Sequence, residues 1–104
     1  MKNDPKIALE VAKIFKLIKE ISSGKAVELW VPHYGPIHCG EGAIHRRGTL
    51  PNQVEMSSEI LIHLATNPGS WSGLSSQGQI LASGLSSDLS KLFIEVSTKY
   101  QAAI

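Results

Sequence analysis

Hydrophobic residues near the start of the chain recur with a helical period. Apolar residues follow one another at intervals of four and three from Ile7 to Ile21, and lysines and glutamates occupy the other faces. Asp4 before Pro5 fits a helix N-cap followed by proline at the first helical position, where a missing N–H is no loss. Ser22-Ser23-Gly24 then ends the periodic run. The pattern predicts an amphipathic helix from about residue 5 to residue 21.

From Lys25 the period changes to two, which is typical of a half-buried strand. One side of this strand is apolar, and the other side includes Trp30. The stretch Tyr34-Gly35-Pro36 resembles a turn, and a second strand is expected to start at Ile37. Gly40 and Gly42 interrupt that strand, as glycines do where a backbone bulges. The pattern predicts a hairpin over residues 25–47.

Residues 52–66 allow two interpretations. Asn52 and Glu55 have the spacing of a capping box, and apolar residues farther along form a helical stripe, so we favour a helix over 53–66. The alternative is a strand over 53–56 and a helix that starts after Ser57, because Val54 and Met56 also alternate. Asn67-Pro68-Gly69 ends the segment in both interpretations.

The serine-rich stretch 70–90 contains a short internal echo. Ser72-Gly73-Leu74-Ser75-Ser76 recurs eleven residues later as Ser83-Gly84-Leu85-Ser86-Ser87. Two copies are too few for a repeat architecture, and we interpret both as serine-capped junctions between a loop and a helix. They predict a short helix near 77–82 and a long helix near 88–102, whose apolar stripe runs from Leu89 to Tyr100.

This order of elements predicts a single α+β domain over residues 1–104. We expect a small antiparallel sheet, containing the 25–47 hairpin, packed against the N-terminal, middle and C-terminal helices. Two or three strands cover little area and leave free edges. Pairing of edges or of helix faces would supply more buried surface, so we predict a homodimer.

Composition and charge exclude several classes of function. The chain has 104 residues and a formal net charge of +1, from ten Lys+Arg against nine Asp+Glu, so no strong field draws it to nucleic acid or to a membrane surface. No apolar run approaches the ~20 residues that span a bilayer. A single cysteine and the lack of an Asn-x-Ser/Thr acceptor give no sign of secretion. We expect a cytoplasmic protein.

The chemically reactive residues crowd into one segment. Three of the four histidines and the only cysteine lie between residues 33 and 45. His33, His38, Cys39 and His45 resemble a set of zinc ligands, but neighbouring strand residues face opposite sides, so His38 and Cys39 do not reach one metal on a regular strand. A metal-binding fold is therefore a lesser alternative, and we predict neither a metal nor a cofactor.

An enzyme is the second alternative. Its candidate catalytic residues are Cys39, Glu41 and His38: the first as a thiolate, and the others as the base of a Cys/His or Glu/His site in the hairpin. Ile37 and Cys39 share a strand face, and an inward Ile37 buries the thiol among apolar groups, where it is inert. We therefore favour a protein without catalysis.

The remaining side of the hairpin predicts a binding surface. If Ile44 also points inward, one extra residue near Gly40 to Gly42 is needed, and this bulge brings His38 and His45 to the same outward face. The predicted binding residues are Trp30, His38, His45, Arg46 and Arg47. Imidazole and guanidinium groups suit a protein partner or a small anionic ligand such as a carboxylate or phosphate. The sequence thus favours a small, soluble, self-associating interaction or ligand-binding protein.

Overall fold

The computed structural model of the protein describes residues 4–40, 52–84 and 87–102. Within this part of the chain, four α-helices and one four-stranded sheet form an α+β fold, which confirms the predicted fold class. The elements in chain order are α1 (Pro5–Ile21), β1 (Val27–Val31), β2 (Gly35–Cys39), β3 (Asn52–Glu55), α2 (Ser58–Thr66), a 3-10 turn (Pro68–Ser70), α3 (Trp71–Ser76), β4 (Leu81–Ser83) and α4 (Ser90–Ala102).

The sheet is mixed, so the expectation of a purely antiparallel sheet is wrong. Its strand order is β2-β1-β3-β4, with β1 antiparallel to β2, β1 parallel to β3, and β3 antiparallel to β4. Val27 pairs with Cys39 on one side and with Asn52 on the other. The chain thus leaves β2 and enters β3 at the same end of β1, and β3 must run in the same direction as β1.

The favoured helix over 53–66 is also wrong, and the alternative interpretation of this segment is correct. Residues 52–55 form β3, and α2 begins only at Ser58. Ser57 is the N-cap of α2, with its hydroxyl accepting a hydrogen bond from the backbone N–H of Ile60 at 3.2 Å. The side chain of Asn52 instead donates to the carbonyl of Ala26 at 3.1 Å. Pairing with β1 therefore outweighs the local capping signal.

The serine-rich stretch differs from its prediction in one of two elements. The short helix expected near 77–82 is absent: residues 71–76 form α3, and Leu81–Ser83 form β4. Gly78, with φ of 77°, lies in the turn after α3, a conformation that glycine adopts at little cost. The long helix near 88–102 is confirmed as α4. Asp88 accepts a hydrogen bond from the backbone N–H of Ser90 at 2.9 Å, which also lowers the pKa of this carboxyl.

One hydrophobic core joins the helices to one side of the sheet. It contains alternate residues of β1, including Leu29, together with apolar residues of α1, α2 and α4, such as Phe93. The expected packing of the N-terminal, middle and C-terminal helices is confirmed. Trp71, the first residue of α3, is only 8% exposed and has its ring centroid 6.1 Å from that of Phe93.

Helix α1 follows its predicted pattern from end to end. The Asp4 carboxylate caps it by accepting from the backbone N–H of Lys6 at 2.8 Å. Val11, Ile14 and Ile18 form its buried stripe. Among the described residues, none of the helices has both the length and the apolar character that crossing a bilayer requires.

Candidate functional site

The four strands give the sheet two chemically different faces. Alternate residues point into the core and form the core face. The other residues, which we call the open face, are all exposed or half-buried. The open face consists of Glu28 and Trp30 of β1, Pro36 and His38 of β2, Gln53 and Glu55 of β3, and Leu81 and Ser83 of β4.

Strand register arranges the open face as two rows across the sheet. One row runs His38, Glu28, Gln53, Ser83, and the other runs Pro36, Trp30, Glu55, Leu81. In the first row the side-chain amide of Gln53 donates a hydrogen bond to Oε1 of Glu28 at 3.2 Å. In the second row a carboxylate lies between two apolar side chains. The face therefore combines acidic and apolar groups within neighbouring strand positions.

Trp30 dominates the second row. It is 42% exposed, and Leu81 in the same row is 58% exposed. The exposed large hydrophobic residues in the described part of the chain are these two and, on helices, Leu9 and Ile94. Exposed aromatic and aliphatic groups on one surface are typical of binding sites, because water contact with them is unfavourable.

A cavity lies against this face. Its volume is about 570 Å³, and its lining includes Trp30, Glu28, Glu55 and Leu81 of the open face, together with residues outside that face such as Ser75 of α3 and Ile80. Sites for small molecules commonly have volumes of roughly 300–1,000 Å³. A second cavity of about 380 Å³ lies where the end of α1 meets the start of α4 and includes Asp88. Only the first cavity opens on Trp30.

The described part of the open face is acidic. Glu28 and Glu55 are its charged groups, while the described lysines lie in α1, in α4 and at position 25. Within residues 4–40, 52–84 and 87–102, the ion pair found is that of Lys13 with Glu10, on α1. Neither carboxylate of the open face is therefore balanced by a described cation.

Cys39 and His38, two of the candidate catalytic residues, point to opposite sides of β2. Cys39 lies on the core face and is 0% exposed, whereas His38 lies on the open face beside Glu28. Burial raises the pKa of the Cys39 thiol to about 11, although the charge of Lys19 acts in the opposite direction. The thiol is thus overwhelmingly protonated near neutral pH, which does not favour a nucleophile. Glu41, the third candidate, lies outside the described residues.

The histidines of the described segments do not converge with other ligands. His33 lies in the turn between β1 and β2, with φ of 74°, and His38 lies on β2. Among the residues that the structure describes, no three His, Cys, Asp or Glu side chains are grouped so as to hold a metal ion.

The predicted binding residues divide into two sets. Trp30 and His38 lie on the same face, as strand alternation predicts. His45, Arg46 and Arg47 lie outside the described residues, so the cationic end of the predicted surface and its suitability for an anion stay predictions.

Gly40 has φ of 81°, and a Cβ there would lie 2.9 Å from Cγ2 of Val27, so the chain at this position requires glycine.

Most of the acidic and apolar groups beside Trp30 were not predicted from the sequence. Alternation along β1 places Glu28 on the same side as Trp30, and this signal was available. Gln53 and Glu55 join the face only if residues 52–55 form a strand paired to β1, which the favoured helix concealed. Leu81 was likewise hidden by the expected helix near 77–82.

Comparison with known proteins assigns the chain to a family. A family model described as "Bacterial SCP ortholog" matches residues 4–94, which include the whole sheet and most of the helical layer. A search of curated proteins found no match. Because the family model covers most of the chain, this protein belongs to the bacterial SCP ortholog family.

Proposed function

We propose that this protein is a non-catalytic binding protein and that its ligand occupies the open face. The observation that carries the proposal is the position of Trp30. This large aromatic side chain is 42% exposed on an ordered strand and lines a cavity of about 570 Å³ together with Leu81. An aromatic and an aliphatic side chain that are exposed together beside one cavity are typical of a binding surface.

The perturbed pKa values among the described residues give no support to catalysis, because each has a structural cause away from the open face. Desolvation, together with a hydrogen bond to Glu10, raises the pKa of Tyr100 to about 12. The pKa of Glu10 is lowered mainly by the same bond. These two residues join α4 to α1, and Cys39 is enclosed by the core. Catalytic sites usually collect such groups in one cleft.

Self-association and a cytoplasmic location remain part of the proposal as predictions from the sequence. Within the described residues the sheet ends at β2 and β4, and unpaired strand edges are surfaces on which another strand can add. Light scattering at working concentration tests the dimer directly. A monomer mass there would remove self-association without affecting the binding site on the open face.

The binding proposal is tested by nuclear magnetic resonance (NMR) with ¹⁵N-labelled protein and small molecules of three classes: cationic, anionic and neutral. We expect at least one class to shift the signals of Glu28, Trp30 and Glu55 in a saturable manner. Trp30→Ala should abolish that response. Ile94→Ala is the matched control, since it also removes an exposed large hydrophobic side chain, 53% exposed but on α4.

Two results would overturn the proposal. One is the lack of any saturable shift on the open face with all three classes of molecule. The other is binding that Trp30→Ala and Ile94→Ala change to the same extent, because that would separate the binding from the open face. The second result requires a folded Trp30→Ala protein, which its dispersed spectrum checks.

A further inference from the structure

We infer that the ligand of the open face is an organic ammonium ion, held over Trp30 by the carboxylates of Glu28 and Glu55. This inference rests on the proposed binding function and adds the chemical class of the ligand. The sequence suggested an anionic ligand because of the imidazole and guanidinium groups at the other end of the predicted surface. The present inference concerns the end that contains Trp30.

The first reason for a cationic ligand is that two carboxylates lie near the indole ring. Glu55 is the direct neighbour of Trp30 in the parallel pair of β1 and β3. Glu28 precedes Trp30 by two residues on the same strand and therefore shares its face. Neighbouring strands lie about 4.8 Å apart, and alternate residues of one strand lie about 7 Å apart. A single small cation can thus contact the ring and both carboxylates.

The second reason for a cationic ligand is the negative charge of the open face. The open face carries two carboxylates, and no lysine of the described segments lies on it. Gln53, a neutral amide, is the described partner of Glu28, and Glu55 has no described ion pair. A cationic ligand complements this charge, whereas an anion at the same position would be repelled.

The groups on the open face suit an organic cation better than a metal ion. A metal such as Ca²⁺ requires about six to eight oxygen ligands at short distances, and no cluster of three suitable side chains occurs among the described residues. The face offers instead the π-face of an indole and the aliphatic side chain of Leu81, which lines the same cavity. Alkylated ammonium groups bind to such aromatic surfaces, and tryptophan is the most favourable ring.

The same charges disfavour a second copy of the chain as the occupant of this face. In a symmetric face-to-face dimer, the same patch appears on both subunits. The acidic centre of one copy would then meet the acidic centre of the other, with like charges juxtaposed. A dimer of this protein is therefore expected to use another surface, which leaves the open face available to a ligand.

The test compares choline with 3,3-dimethylbutan-1-ol, a neutral molecule of nearly the same shape. Both are titrated into ¹⁵N-labelled protein, with the indole N–H signal of Trp30 as the readout. This signal is assigned by its loss in Trp30→Phe. We expect choline to shift the signal saturably and to bind at least fivefold more tightly than the neutral molecule, since cation–π attraction on an exposed ring supplies about two- to fivefold and the two carboxylates add to it.

Charge variants test the carboxylates separately. Glu28→Gln and Glu55→Gln should each weaken choline binding by roughly threefold, and the double variant by about tenfold, as expected for partly exposed charge pairs. Glu20→Gln on the exposed side of α1 is the matched control and should leave the affinity unchanged. Added salt should weaken choline binding to the unaltered protein and have less effect on the double variant.

The outcomes distinguish this inference from the proposed function. Equal affinity for choline and the neutral molecule would overturn the inference that the ligand is a cation. The same holds if the double glutamine variant binds choline as tightly as the unaltered protein. Saturable binding of inorganic phosphate at Trp30 in place of choline also overturns it. In these cases a ligand still occupies the open face and the proposed function stands. If no class of molecule reaches the face, both fail.

Discussion

The two faces of the sheet differ although they alternate along the same strands. On β1, Leu29 is 0% exposed within the core, while Trp30, the next residue, is 42% exposed on the other side. The core face is apolar and covered by helices, whereas the open face mixes carboxylates with exposed apolar groups. One strand thus has two separable roles: one side stabilises the fold, and the other side is available to a ligand.

The largest expected contrast is between Leu29→Ala and Trp30→Ala. Removing the buried Leu29 side chain leaves a cavity in the core and should lower the free energy of unfolding by about 3 kcal/mol. Trp30→Ala removes more atoms, but from a ring that is 42% exposed, so its cost should be smaller, about 1–2 kcal/mol. Urea denaturation of both variants measures the difference. Equal losses would contradict the division between the faces.

The next contrast is between Gly73 and Gly84, two glycines that lie in the same five-residue sequence. It compares the effects of Gly→Ala on stability at the two positions. Gly84 has φ of 100°, and a Cβ there would lie 2.8 Å from the Cα of Asn52, at the start of β3. Gly84→Ala should therefore cost at least about 2 kcal/mol, from backbone strain and displacement of β3. Thermal and urea unfolding measure this loss.

Gly73→Ala is the control for that substitution. Gly73 lies inside α3, and a Cβ there meets no atom within 4 Å, so alanine should stabilise the helix by about 0.5–1 kcal/mol. Opposite signs at the two glycines would support the different backbone environments described for Gly73 and Gly84. A loss at Gly73 as large as that at Gly84 would contradict them.

Thiol reactivity tests whether Cys39 belongs to the core face. With a pKa of about 11, only about one thiol in a thousand is ionised at pH 8, and the side chain is 0% exposed. Labelling by a disulfide reagent should therefore be at least about 100-fold slower in native protein than in urea. Fast native labelling would place the thiol at an accessible surface and revive the enzyme alternative.

The smallest effect on stability is expected where α4 contacts α1. There the Tyr100 hydroxyl donates a hydrogen bond to the Glu10 carboxylate. The pKa of Tyr100 is raised to about 12, so the folded state keeps this proton longer than the unfolded state does. The associated stability is present below pH 10 and is lost as the pH rises from about 10 towards 12. The lowered pKa of Glu10 adds stability that is lost as the pH falls through its folded value.

Tyr100→Phe removes both dependences. The stability difference between the unaltered protein and Tyr100→Phe should be greatest near neutral pH and should shrink at both extremes. Urea denaturation at several pH values follows it. A difference that does not change with pH would show that the hydroxyl acts only through packing.

Sequence periodicity predicted the elements whose signal is local and long. The spacing of apolar residues located α1 and α4, and alternation located β1 and the inward side of Cys39. The segment 52–57 was harder, because four residues of strand look the same as the first turn of a helix until the partner is known. Val54 belongs to a strand because Leu29 lies beside it, and Leu29 is distant in sequence.

The repeated pentapeptide shows the same limit more plainly. Gly73 is helical, whereas Gly84 follows a strand, although both are flanked by serine and leucine. Tertiary packing decides between these structures, since Trp71 docks against Phe93 directly before one copy and β4 pairs with β3 up to the first residue of the other. Of the candidate site, alternation alone located Trp30 and His38. Glu55 and Leu81 required the pairing of strands that are far apart in the chain.

The most direct test of the central claim is the map of ligand-induced NMR shifts on the sheet. A bound molecule should perturb alternate residues of β1 and β3, with the largest changes at Glu28, Trp30 and Glu55, and should leave the core intact. Shifts confined to the cavity between α1 and α4, around Asp88 and Leu92, would contradict the account. They would show that the open face, despite its exposed tryptophan, is not the binding surface.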